Sequence, residues 1–136
     1  MANITTSPLP EEKISSLLSI LGQPARIQIL LIIGAQEACV CHLEAVTGIR
    51  QASISQHLMV LRQTGWVENQ RNGQYVFYRL CCPEVLSVLR QFAQLAGVEA
   101  GALERLGRRP VSGCPCPQCN PGIDPKLTCR KLNPNP

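Results

Sequence analysis

The chain has 136 residues, a formal net charge of +4 and a mean hydropathy of +0.04, which suits one soluble domain. No apolar run approaches the roughly 18 residues of a membrane helix, and the first residues lack the basic-then-apolar pattern of an export signal. A cytoplasmic protein without a membrane partner is therefore expected, and in that compartment eight cysteines read as metal ligands or redox thiols rather than as a disulfide framework.

Composition divides the chain near residue 107. The segment beyond it holds seven of the eleven prolines, four of the eight cysteines and no aromatic residue. Such density of Pro and Gly argues against regular structure. Residues 1–106 are expected to form the folded domain, with a thin core, and residues 107–136 a Cys/Pro-rich tail, disordered or ordered by metal. Charge is also uneven. Residues 50–79 carry Arg50, Arg62, Arg71 and Arg79 against the single acid Glu68, and residues 105–136 are strongly basic, whereas residues 1–49 and 80–104 are net acidic. A basic segment between acidic flanks suits a localised nucleic-acid face.

In chain order, Pro10, Glu11 and Glu12 open a first helix, with acids at the positive end of its dipole. Ile14, Leu17, Leu18 and Leu21 recur along it at helical spacing. Gly22-Gln23-Pro24 breaks it, and Pro24 suits the first turn of a second helix. That helix is apolar on every side through Ile27, Ile29, Leu30, Leu31 and Ile33, hence buried, and Gly34 is expected to end it. A short third helix covers residues 41–47, Gly48 turns the chain, and a fourth helix covers residues 51–63. Ile54, Leu58 and Leu61 share its inner face, while Ala52, Gln56, Met59 and Gln63 lie opposite.

Two alternating runs follow, residues 66–71 and 74–80, with Asn72-Gly73 between them. Asn-Gly between strand formers signals a two-residue hairpin, because a type I′ turn needs φ > 0 at both positions. Pro83 starts a fifth helix, whose apolar arc from Val85 to Ala96 is too wide for a lone surface helix. In a thin domain, the first and fifth helices are expected to cover their spare apolar faces with a second subunit. The fold class is thus mainly α with a β-hairpin wing, a winged helix-turn-helix, as a homodimer. That architecture sets a helix in the DNA major groove and the ribbon on the flanking backbone. Gln51, Ser53, Ser55, Gln56 and His57 are expected to approach bases and phosphates, and Arg71, Asn72, Gln74 and Arg79 to serve the wing. Gln56 suits an adenine edge. For His57, packing is the other reading.

The stretch from Gly48 through Gln51, Ser53, Ser55, Gln56, His57 and Leu58, then Val60-Leu61-Arg62, Gly65 and Val76-Phe77-Tyr78-Arg79-Leu80, resembles the ArsR/SmtB family. The resemblance covers roughly residues 10–100. It implies a dimeric winged-helix repressor, bound to double-stranded DNA at an inverted repeat and released by a metal or metalloid. Glu37-Ala38-Cys39-Val40-Cys41-His42-Leu43 resembles the family's metal-binding box, with Ala38 in place of Leu, His42 in place of Asp, and Glu44 where some arsenic sensors carry a third Cys. Several family members bind zinc at the last helix through Asp and His, which residues 83–100 lack. Others sense persulfides through a Cys pair in the second and last helices. Residues 24–34 and 83–100 hold no Cys, although Cys81 or Cys82 could substitute.

The box supplies two thiolates. Residues i and i+2 project about 200° apart on a helix, so Cys39 and Cys41 can share an ion only if Cys39 precedes the helix or binding distorts its first turn. The tail offers Cys114, Cys116 and Cys119, with Cys129 further on. Soft thiolates favour As(III), Cd(II), Pb(II), Cu(I) and Zn(II). Cys39, Cys41 and at least one of Cys114, Cys116 and Cys119 are expected to bind the inducer. As(III) fits first, since it takes three thiolates, then Cd(II) or Pb(II). Zn(II) held by the four tail cysteines is an alternative use of that segment. His42 reads as a solvent-facing first-turn residue, and Cys81-Cys82 as packing at the base of the fifth helix or else as redox or metalloid ligands. The rival functions are a thiol-based redox or persulfide sensor repressor, a thiol oxidoreductase and a metal-storage protein. No Cys-x-x-Cys opens a helix after a strand, so nothing favours an enzyme, and metal storage leaves the winged helix unexplained.

Overall fold

The computed structural model describes residues 8–107. In chain order they form α1 (Pro10–Leu21), α2 (Pro24–Ala35), β1 (Ala38–Cys39), α3 (Val40–Thr47), α4 (Gln51–Gln63), β2 (Val67–Asn72), β3 (Tyr75–Leu80), α5 (Glu84–Leu95) and α6 (Ala100–Gly107). The expected winged helix-turn-helix is present, with α3 and α4 as the helix pair and β2–β3 as the wing. Among the described residues no single helix is long and apolar enough to cross a membrane.

α2 is the centre of the core. Ile29, Leu30, Leu31, Ile32 and Ile33 are all buried, as an apolar helix requires. Around them pack Leu43 of α3, Ile54, Leu58 and Leu61 of α4, and Val85 and Leu89 of α5. At the start of α1, the Glu12 carboxylate accepts the Leu9 backbone N–H at 3.3 Å, satisfying one of the orphan donors of a helix start. The break after α1 turns the chain through 84°.

α2 does not stop at Gly34 but runs on through Ala35. Gly34 serves packing instead. A Cβ there would lie 2.7 Å from Leu86 Cδ1, so the bare backbone is what lets α5 approach α2. α6 has no counterpart in the sequence expectations. It packs against α2 and α5, and Leu103 and Leu106 lie half-buried on the core.

The sheet has three strands in the order β1-β3-β2, all antiparallel. The short β1 was not expected. It pairs Ala38 with Tyr78 and Cys39 with Phe77, so the wing is tied to the chain just before α3. The hairpin turn is displaced by one residue from the expected Asn72-Gly73. Asn72 pairs with Tyr75 inside the ladder, leaving Gly73-Gln74 as the loop. Gly73 has φ of 65°, while no non-glycine residue in residues 8–107 has positive φ. Left-handed geometry at the first loop position alone fits a type II′ turn, not type I′. In this register Tyr75 and Phe77 share one face of β3 and are both buried.

Two apolar faces remain open on the single chain. Ile14, Leu17 and Leu18 of α1, and Val88, Phe92 and Leu95 of α5, are exposed.

Candidate nucleic-acid interface and thiol pair

α4 is amphipathic in the way a reading helix must be. Ile54, Leu58 and Leu61 anchor it to the core, and its outer face carries Ser55, Gln56, Met59 and Gln63, all exposed. Gln51 and Ser53 are half-buried at its start. On the wing, Arg71, Asn72 and Gln74 stand exposed around the turn. Arg79 lies further down β3, directly across from Glu68 in the ladder, and the two form an ion pair. Both partners are exposed, and such pairs contribute only about 0–1 kcal/mol, so a phosphate competes readily for Arg79.

His57 is half-buried on α4 and hydrogen-bonded within the chain. Its Nδ1 accepts a hydrogen bond from Arg26 Nε at 3.2 Å, while Arg26 Nη1 donates to the Ile20 carbonyl at 3.2 Å. Burial, and then the Arg26 charge, hold the His57 pKa below its usual value, which keeps the ring neutral and able to accept. Arg26 escaped the sequence analysis. Its signal was there, as the one charged residue in a mostly apolar helix.

The thiol pair sits at the junction between β1 and α3. Cys39 is extended, with φ −88° and ψ 169°, and is the residue before the helix; Cys41 lies in the first turn. This is the arrangement in which the pair need not point to opposite sides of one helix. Both thiols are buried. His42, expected to face solvent, is instead 6% exposed. Among the described residues no three His, Cys, Asp or Glu side chains converge on a common metal position. Cys114, Cys116, Cys119 and Cys129 lie outside the described residues.

Cys81 does not pack beneath α5. It is exposed, lines an open groove with Met59, Arg62 and Asn69, and donates its thiol to the Gly65 carbonyl at 3.0 Å. Cys82 donates to the Glu84 carboxylate at 3.3 Å, which pushes its thiol pKa up.

The match to known proteins falls on these elements. Residues 23–69, from α2 into β2, match the family described as "Bacterial regulatory protein, arsR family". A relative over a longer stretch is nodulation protein NolR of Rhizobium meliloti, 31% identical over 106 residues, covering 74% of this chain and 87% of NolR. The chain belongs to the ArsR/SmtB family. Its members here include the arsenic resistance transcriptional regulator ArsR1 of Pseudomonas putida, 36% identical over 107 residues, covering 71% of this chain and 81% of that one. For the transcriptional repressor SmtB homolog of Synechocystis the identity is 29% over 82 residues, and the match spans 60% of this chain but only 62% of the relative.

Among solved structures, NolR from Sinorhizobium fredii superposes with a TM-score of 0.58 at 28% identity, covering 69% of this chain and all of that one. A homodimeric winged helix-turn-helix DNA-binding domain from Mycobacterium bovis shares the fold with a TM-score of 0.55 at 24% identity, covering 71% of this chain and 91% of that one. The chain is thus a winged helix-turn-helix transcription regulator by fold and family.

Proposed function

We propose that this ArsR/SmtB regulator is a DNA-binding repressor, acting as a homodimer on an inverted-repeat operator and released when a thiophilic metal or metalloid closes on Cys39 and Cys41. The observation that carries the DNA half is the outward, polar start of α4 beside an exposed wing tip of Arg71, Asn72 and Gln74. Gln51, Ser53, Ser55 and Gln56 are the base and phosphate contacts of α4. Arg71, Asn72, Gln74 and, once freed from Glu68, Arg79 are those of the wing. The apolar stripes left open on α1 and α5 supply the subunit contact. A two-fold dimer then presents two reading helices to half-sites about one helical turn apart.

The inducer half rests on where the thiols sit. Cys39 is paired through its backbone to Phe77 of the wing strand β3, and it also precedes the first turn of α3. A chelate that draws Cys39 and Cys41 together therefore pulls on the wing and on the helix-turn-helix at once. The donor set fits a thiophilic ion in kind but supplies only two ligands, so at least one of Cys114, Cys116 and Cys119 completes it. Three thiolates suit As(III), with Cd(II) or Pb(II) next; the arsenic-regulator name of the Pseudomonas relative supports the same order. Release requires that the ion bind the DNA-incompetent dimer more tightly than the competent one.

A gel shift on the chain's own promoter DNA, with and without As(III), Cd(II) or Pb(II), tests both halves. The reading predicts a shifted band that the ion abolishes. A chain that never shifts the DNA overturns the repressor reading, and a band indifferent to all three ions overturns the inducer reading.

A further inference from the structure

We propose that Arg26 is a positioning residue for the reading helix: its single guanidinium ties the last turn of α1 to the middle of α4, so that the seating of α1 sets the angle at which α4 meets DNA.

The geometry has two ends. The Ile20 carbonyl belongs to the last turn of α1, where carbonyls have no intrahelical partner, and Arg26 Nη1 donates to it at 3.2 Å. From the same planar group, Nε donates to His57 Nδ1 at 3.2 Å on α4. All three residues are partly buried. A guanidinium is a rigid fork, so occupying two of its donors fixes the direction between the two acceptors. A lysine ammonium carries its donors on one atom and cannot reproduce that fork.

The two acceptors sit in telling places. α1 carries Ile14, Leu17 and Leu18, the exposed face assigned above to the subunit contact. His57 follows immediately after Ser55 and Gln56 on α4, so a small tilt at His57 moves the base-reading residues directly. The Arg26 link therefore joins the dimer face to the DNA face within one chain. The inference rests on the DNA-binding reading. Its competitor is that Arg26 and His57 each touch a phosphate on their own account.

The test is operator affinity by fluorescence anisotropy across a salt series. The proteins are the wild type, Arg26→Ala, His57→Phe and the double variant, at a temperature where circular dichroism shows each fully folded. The loss of one hydrogen-bonded link predicts about 3- to 10-fold weaker binding for each single variant. The double variant should be no weaker than the worse single one, and the salt slope should stay at the wild-type value. Arg26→Lys should behave like Arg26→Ala, while His57→Asn, which keeps an acceptor oxygen near the Nδ1 position, should keep wild-type affinity. Those two milder variants decide the matter if Arg26→Ala fails to fold. Additive losses, or a salt slope lower by about one for Arg26→Ala, would show direct phosphate contacts and overturn the link. Unchanged affinity with only a lowered melting temperature would reduce Arg26 to a stabilising residue and overturn it too. A wild-type chain that does not bind the operator brings down the DNA reading itself, and the link with it.

Discussion

Leu95 offers the cleanest probe of the subunit contact. Its side chain is 82% exposed on the single chain, so Leu95→Ala removes almost nothing from the monomer, and Ala suits a helix at least as well as Leu. It continues the open stripe of Val88 and Phe92 at helical spacing. Burying a leucine side chain fully contributes about 1.5–3 kcal/mol. Covering the exposed four-fifths of this one would contribute roughly 1.6 kcal/mol per copy. A two-fold interface contains two copies, so the dimer should lose about 3 kcal/mol, roughly a 100-fold rise in its dissociation constant. Sedimentation equilibrium measures that constant, with circular dichroism confirming that the fold is intact. Met59→Ala is the control: Met59 is 53% exposed, but on the outer face of α4. A dissociation constant unmoved by Leu95→Ala, or moved equally by Met59→Ala, would refute the assignment of this stripe to the interface.

On the DNA side, Gln56→Ala should cost about 1–3 kcal/mol of operator affinity and relax the preference at one base pair, whereas Arg71→Ala should weaken binding to all sequences alike and lower the salt slope by about one. Anisotropy titrations on matched and mismatched duplexes separate the two effects. Within the wing, Gly73→Ala forces a side chain into left-handed backbone and should destabilise the protein by about 1–2 kcal/mol. Asn72→Thr, at a paired strand position, should be close to neutral by urea denaturation. Because burial and Arg26 hold the folded-state pKa of His57 below its ordinary value of 6.5, the neutral form is the favoured one in the native state. Its contribution is complete above the unfolded pKa and is lost as pH falls toward the folded value. Urea midpoints between neutral and mildly acid pH should therefore drop more for the wild type than for His57→Asn.

What the sequence made legible was what local periodicity encodes. Ile54, Leu58 and Leu61 recur at helical spacing and are all buried on α4. The wing runs alternate, and the strands lie within a residue of where that alternation places them. The two-residue β1 carries no period of its own. It exists because Tyr78 and Phe77, far along the chain, offer an unpaired edge. α6 follows Gly97 and includes Gly101 and Gly107, a poor helix by propensity, and its place depends on packing against α2. The turn at Gly73-Gln74 rather than Asn72-Gly73 reflects register: the ladder that buries Tyr75 and Phe77 needs Asn72 as a strand residue. At the thiol pair, the box motif was legible and so was its two-ligand shortfall. The burial of His42 was not, because it depends on how α3 seats against the rest of the chain.

The central claim is that an ion held by Cys39, Cys41 and a tail cysteine releases this repressor from DNA. The direct measurement is an As(III) titration of the operator complex followed by anisotropy. Three proteins are compared: the wild type, Cys39→Ser/Cys41→Ser, and a chain ending at Pro110, which lacks Cys114, Cys116, Cys119 and Cys129. The account predicts that all three bind the operator with similar affinity and that only the wild type is released by As(III) at low concentration. Release of either variant at the wild-type ion concentration would contradict it. If the shortened chain alone were released normally, the third ligand would have to be sought at Cys81 or Cys82.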